Sequence, residues 1–451
     1  MPEQNKDMML AEKIAEQVSA VGGRVYYVGG YVRDALLGVE GKDIDIEVHG
    51  ISPAVLEEIL DKTGMRTSFG ESFGIYAIKG HSLDIAMPRK EKLRGRGHRD
   101  FDVFVDPFIG AESAAKRRDF TVNAIMRDVL TGEIVDPFGG AKDLEKEILR
   151  HVSDDSFGED PLRVLRLCQF AARFGFSVAE ETLDICKKMD ISTLSRERVE
   201  GEMKKALLKA EKPSVFFELL RKIGKLSPWF GELLPLIGLE QDARYHMEGD
   251  VWTHTMMVLD AAAELKDNTE NPYGFMLAAL CHDLGKAVCT VREGERVHSY
   301  GHDVKGIPIA RRLLHRFTDE RKLIRYVLEI TEHHMKPNVL ASNRSAIKKT
   351  NKRFDCVSDP MALIMIAAAD VRGQRGIGVS ADHTDFLLDR LEVYRKYMAE
   401  PYVTGKDLLA AGVPEGEQLK SMLEYAHKLR LAGVDKDSAL MQTLRFYKSN
   451  E

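Results

Sequence analysis

Lys42-Asp-Ile-Asp-Ile-Glu-Val48 alternates strictly. On a β-strand Ile44, Ile46 and Val48 face one way, while Asp43, Asp45 and Glu47 face the other. Carboxylates two residues apart on one strand face sit roughly 6.5–7 Å apart. They repel unless a cation or water lies between them. Paired carboxylates on a rigid strand suit Mg²⁺, which keeps much of its water and is shared with substrate phosphates. The plainer reading is an amphipathic strand that shows acids to solvent. Asp84, in Ser82-Leu-Asp-Ile-Ala86, is placed to add a third carboxylate from a neighbouring strand.

Upstream, Val25-Tyr-Tyr-Val28 runs into Gly29-Gly30 and then Tyr31-Val-Arg-Asp-Ala-Leu-Leu-Gly38. That order reads as strand, glycine turn and short helix, with Arg33 in its first turn. Glycine allows close backbone approach to a ligand, and a helix start offers free N–H groups to phosphate. Further short strands are expected at Ile75–Ile78 and Leu83–Met87. After about residue 140 the pattern turns helical, as in Pro161–Arg173, Val199–Lys209, Val215–Ile223 and Met361–Val371.

With 451 residues, more than one hydrophobic core is expected. The fold class is α+β. An α/β head with a mixed or antiparallel sheet spans residues 1–140, and a helical neck spans 141–240. A His-rich all-α domain spans 241–375, and a helical tail spans 376–451. Seven histidines fall between His254 and His334, against four before residue 240. The five cysteines are odd in number and show no CxxC spacing, which argues against a disulfide framework and a zinc ribbon, and they read as small core residues. No apolar run is long enough for a membrane span, and the N-terminus lacks a signal-peptide layout, so a cytoplasmic protein is expected. The net charge of −6 argues against broad nucleic-acid affinity and leaves room for a local basic patch. Arg89 to Arg99 supplies one, with six Lys or Arg against one Glu.

Gly29-Gly30-x-Val32-Arg33-Asp34 followed by Asp43-x-Asp45 resembles the signature of class II CCA-adding enzymes and bacterial poly(A) polymerases. Arg117-Arg-Asp-Phe-Thr-Val-Asn-Ala124 is similar to their RRDFTxNA motif, Asp136-Pro-Phe-Gly-Gly140 to the turn after it, and Glu159-Asp-Pro-Leu-Arg-Val-Leu-Arg166 to their EDxxR motif. The resemblance implies a polymerase-β-like nucleotidyltransferase head. Asp43 and Asp45, with Asp84 beside them, would be catalytic and hold Mg²⁺. Gly29, Gly30, Arg33 and Arg118 would contact the nucleoside triphosphate. Asp160 and Arg163 would read the base, with Arg166 and Gln169 beside them in the nucleotide site. Cytosine and adenine each place an amino donor next to a ring-nitrogen acceptor; a carboxylate and a guanidinium match that order and reject G and U. Locally, the Asp160-Pro161 pair also reads as an ordinary helix start. Gln169 departs from the family, which commonly has arginine there. The segment Pro88-Arg-Lys-Glu-Lys-Leu-Arg-Gly-Arg-Gly-His98 looks like the flexible loop of CCA-adding members, with Arg89, Lys90, Lys92, Arg94 and Arg96 available to RNA. The implied partners are tRNA, CTP and ATP, with no membrane.

His254, His282-Asp283 in Leu280-Cys-His-Asp-Leu-Gly-Lys286, and Asp370 match the H…HD…D pattern of the HD phosphohydrolase superfamily. Imidazoles with carboxylates suit Mn, Ni, Fe, Co or Zn better than Mg²⁺. His302 with His333 or His334 would complete a second metal position. The arrangement resembles HD-bearing, proteobacterial-type CCA-adding enzymes, which implies hydrolysis of 2′,3′-cyclic phosphate or phosphomonoester ends. Two other readings stand: a CC-adding, A-adding or poly(A) relative, and an HD phosphohydrolase with a non-catalytic nucleotide- or RNA-binding head.

Overall fold

The computed structural model describes residues 3–39, 43–68, 74–93, 101–376 and 381–448. Two compact units emerge: Met1–Met203 with Glu218–Lys225, and Lys204–Phe217 with Leu226–Glu451. The division falls inside the segment expected as a neck. Among the described residues no helix is long and apolar enough to cross a membrane.

The first unit carries a seven-stranded mixed sheet. Its strands are β1 (Arg24–Val28), β2 (Ile44–His49), β3 (Arg66–Ser68), β4 (Ile75–Ile78) and β5 (Leu83–Ala86), then, beyond a separate ribbon, β8 (Met126–Asp128) and β9 (Ile134–Val135). The order is β3-β4-β5-β2-β1-β8-β9. Only β2 and β5 run parallel; the other neighbours are antiparallel. Behind β2 the apolar face is sealed: Ile44, Ile46 and Val48 are at most 1 % exposed. Helices α1 (Glu3–Ala20) and α3 (Pro53–Thr63) pack together, and α1 lies against β1 and β2. Between them α2 (Gly30–Leu36) leaves the glycine turn. Further on, α4 (Leu162–Phe174) ends at Gly175 in the left-handed region, and α5 (Arg196–Lys209) follows.

The expected loop after Pro88 is a correction. Arg89 to Leu93, with Lys90 and Lys92, forms β6, paired antiparallel with β7 (Phe101–Val105) from Arg89↔Val105 to Leu93↔Phe101. Dense charge hid a strand whose partner, Phe101–Val105, is rich in β-forming residues. Arg94 and Arg96 lie outside the described residues.

In the second unit the helices that matter are α6 (Val251–Leu265), α7 (Pro272–Cys281), α8 (His302–Lys305), α9 (Arg321–His333) and α10 (Pro360–Gly373). Asp250, Asn271 and Asp359 cap α6, α7 and α10 through their side chains, and Pro272 and Pro360 open the latter two. The region beyond residue 400 has its own small core, including Leu408, Met422 and Ala439. Four cysteines are buried as expected, but Cys356 is exposed, its thiol donating to the Lys352 carbonyl.

Candidate active sites

In the first unit a cleft of about 1010 Å³ gathers most of the predicted head residues. Parallel pairing sets Asp45 directly beside Asp84, on strands roughly 4.8 Å apart. Both side chains line the cleft. Asp43 is exposed and lies outside that lining, but its charge is felt at Asp45. Burial, then Asp84, then Asp43 push the Asp45 carboxyl up to about 6, against the pull of Arg118. Three acids in one another's field are a donor set that a hard divalent cation would relieve. Among the described residues the three do not form a group whose oxygens all lie within 4.8 Å of one another.

Gly29 has φ 67°, and a Cβ there would stand 3.2 Å from an Arg118 guanidinium nitrogen and 3.7 Å from Asp45 Oδ2. The position needs glycine both for its backbone and for space. Arg118 donates to Glu47 at 3.4 Å, and Glu47 also meets His49 Nε2 at 2.9 Å. Glu47 is therefore buried and spoken for, unlike the two aspartates before it.

Arg33 lines the cleft beside Gly30, yet it is 3 % exposed and already holds three hydrogen bonds. It donates to Asn123 Oδ1 at 2.6 Å and twice to Asp34, and stacks over the Phe174 ring at 4.5 Å. Asn123 in turn donates to Asp119 (2.9 Å), which accepts from the Phe120 N–H and from Arg166 at 2.7 Å. Asp119 is buried; Arg166 and Asn123 overcome the cost of burial and hold it below its ordinary range. Asp119→Ala would leave the Arg166 guanidinium half-buried and unpaired. We expect a loss of about 3 kcal/mol, read as a lower urea midpoint. The stabilisation should be present above the ordinary Asp value of 3.8 and fade as pH falls below it.

Asp160 and Arg163 line the same cleft without pairing with each other. Asp160 caps the Leu162 N–H at 3.0 Å and accepts twice from Arg198, at 2.8 and 3.0 Å. Arg163 donates to the carbonyls of Ser156 and Arg117. The local reading of Asp160 as part of a helix start has its counterpart in the Leu162 bond. Gln169 is a different matter: it is 2 % exposed, outside the cleft lining, with its amide nitrogen unbonded. The expected nucleotide contact is corrected, since this side of α4 faces the core.

The second unit brings its predicted ligands together. His254, His282 and Asp370 form one cluster and Asp283, His302 and His334 another, each with ligand atoms within 4.8 Å. Asp283 spans the two. Its Oδ1 lies 3.2 Å from His302 Nε2, and its Oδ2 lies 3.2 Å from His282 Nε2 and 3.7 Å from His254 Nε2. Burial opposes its charge, but Lys286 (2.7 Å) and His282 hold it well below the carboxylate range.

The histidines are oriented from behind. Nδ1 of His282, His302 and His334 contacts the carbonyls of Ala279, Ser299 and Thr331 at 2.7–2.8 Å. A carbonyl only accepts, so each Nδ1 carries the proton and each Nε2 presents a lone pair. His302 and His334 then oppose two lone pairs at 3.3 Å, a repulsion that a cation converts into ligation. Burial, then His282, pulls His334 down to about 4, so it stays neutral. No hydrogen bond satisfies His282 Nε2. His254 Nε2 and Asp370 Oδ1, 3.0 Å apart, share a proton or a cation; burial lowers His254, but its bonds to Asp370 and Glu248 raise it to about 9. The donor set fits two divalent ions. His334 belongs to it and His333 does not, since His333 accepts from Arg353 instead. Gly285 serves close approach: a Cβ there would fall 2.0 Å from the His302 carbonyl oxygen.

Two family models match the chain, the poly A polymerase head domain over residues 25–150 and the HD domain over residues 251–370. A multifunctional CCA protein of Actinobacillus pleuropneumoniae is 34 % identical over 424 residues, 91 % of this chain and 98 % of the relative. This chain belongs to the multifunctional CCA protein family. The multifunctional CCA protein of Pasteurella multocida is likewise 34 % identical over 92 % of this chain and 97 % of its own length. Solved CCA-adding enzymes share the fold: an apo form superposes with a TM-score of 0.69 at 20 % identity, covering 98 % of this chain and 96 % of that one. The Thermotoga maritima enzyme complexed with tRNA-CCA gives 0.64 at 20 % identity, covering 99 % and 96 %.

Two side chains in these sites escaped the sequence. Arg198 has no local signal, being one charge on a helix. Glu248 carries no motif and meets its partners only in the folded unit. Asp119 was visible inside RRDFT but without a role.

Proposed function

We propose that this multifunctional CCA protein adds C, C and A to tRNA 3′ ends from CTP and ATP, and that its second unit hydrolyses 2′,3′-cyclic phosphate or phosphomonoester ends. The observation that carries the first half is a single cleft with Asp45 and Asp84 in its wall together with Asp160, Arg163, Arg166 and Arg198. Mg²⁺ held by Asp43 and Asp45 would supply charge neutralisation to the attacking 3′ oxygen and to the departing pyrophosphate. Arg118 and Gly29 leave room and charge for the triphosphate. The 3′-hydroxyl oxygen bonds to the α-phosphorus, the bridging oxygen departs with the bonding pair on pyrophosphate, and the hydroxyl proton passes to solvent. Asp160 accepts from the base amino group and Arg163 donates to the ring nitrogen, once each releases its present partner.

In the second unit, Mn²⁺ or another transition ion held by the two clusters would activate water for attack on phosphorus. Asp283 spans both positions. The carbonyl-anchored imidazoles keep their lone pairs inward. Opening the cyclic diester at the 3′ oxygen frees the hydroxyl that the first unit uses.

The test offers purified protein three tRNAs, ending in the discriminator base, in C or in CC, with CTP and ATP separately, followed by sequencing. We expect CMP on the first two and AMP on the third. No AMP on the CC-ending tRNA, AMP there with no CMP on the first two, or runs of A would replace the proposal with a CC-adding, A-adding or poly(A) activity.

A further inference from the structure

Behind the clusters of the second unit sits an acid that the H…HD…D pattern does not contain. Glu248 lies in the turn before α6, with its side chain 1 % exposed. One oxygen, Oε1, is 3.0 Å from His254 Nδ1 and 2.7 Å from His246 Nδ1. The other, Oε2, accepts the Arg375 N–H at 2.8 Å. Arg375 follows α10, the helix that carries Asp370, and its carbonyl accepts the Met247 N–H. Two residues earlier, at Gly373, a Cβ would stand 2.5 Å from a Val258 methyl of α6. The two ligand-bearing helices therefore meet closely at this end.

Unlike His282, His302 and His334, His254 has no carbonyl behind its Nδ1 among the described contacts. A carboxylate does that work. An ionised carboxylate only accepts, so it fixes the Nδ1–H tautomer, aims Nε2 at Asp370, and makes the imidazole a stronger donor. We infer that Glu248 is a positioning residue of the HD metal site, orienting His254 and tying it to the Asp370 helix through Arg375. The inference rests on the metal-site reading above.

The experiment titrates chelator-treated full-length protein with Mn²⁺ alone, by calorimetry, in an Asp43→Ala, Asp45→Ala background that removes the head site. Glu248→Ala is expected to weaken Mn²⁺ binding about 10- to 100-fold. Glu248→Gln keeps an acceptor oxygen for His254 and forfeits the Arg375 bond, so it should recover most of that affinity. Thermal unfolding of the metal-free proteins checks folding. A purely structural role would lower the unfolding temperature in both variants and leave Mn²⁺ affinity alone, which would overturn the inference. Parent-like affinity in Glu248→Ala would do the same. If the background protein itself takes up no Mn²⁺, the metal-site reading fails instead, and the two failures are told apart.

Discussion

Asp45→Ala should cut CMP incorporation into a tRNA ending in the discriminator base by about 10³-fold or more. The variant loses the cleft-facing member of the acidic pair, and several kcal/mol of transition-state charge stabilisation go with it; each 1.36 kcal/mol is about tenfold in rate. Its fold should hold, because removing Asp45 also relieves the repulsion from Asp84 and Asp43 that raises its own carboxyl. Single-turnover extension with labelled CTP measures the effect. Parent-like extension would mean that Asp45 does not hold the catalytic ion; no extension by the parent protein itself would mean that the head binds nucleotide or RNA without catalysing transfer, leaving the chain a phosphohydrolase. Hydrolysis of cyclic phosphates by the second unit should be unchanged.

Asp283→Asn should do the reverse. The amide keeps the shape and loses the charge that both ligand clusters share, so hydrolysis of a 2′,3′-cyclic phosphate should fall by about 10³-fold. On a tRNA with a free 3′-hydroxyl, extension should stay within about twofold of the parent. On a tRNA ending in the cyclic phosphate, extension should be lost with the hydrolysis. A variant that extends the blocked tRNA as well as the parent does would separate the two activities and defeat the repair reading. Lys286, 2.7 Å from the lost charge, makes a matched Lys286→Met comparison useful for checking that the buried ammonium is tolerated.

The sheet was legible because its signal is local. Alternation of Ile44, Ile46 and Val48 with acids places β2 to within a residue, and Ile75–Ile78 coincides with β4. The HD ligands were legible because their residue types are uncommon and their string is specific. Position on a cleft wall was not. Gln169 follows Arg166 by three residues, yet α4 turns it inward, where its partners come from other elements. Arg198 and Glu248 act through contacts 38 and 6 residues away, and neither distance is a helix or strand repeat. The basic run at Arg89 misled because charge suggests solvent, whereas pairing with Phe101–Val105 depends on a segment that lies beyond two glycines.

The seal behind β2 bears on how the head tolerates change. A one-residue slip of that strand would turn its acids into the core and its isoleucines into the cleft. What forbids the slip is the close packing of Ile44, Ile46 and Val48 on the far side. Trimming Ile46 would therefore loosen the aim of the acids without touching a charge.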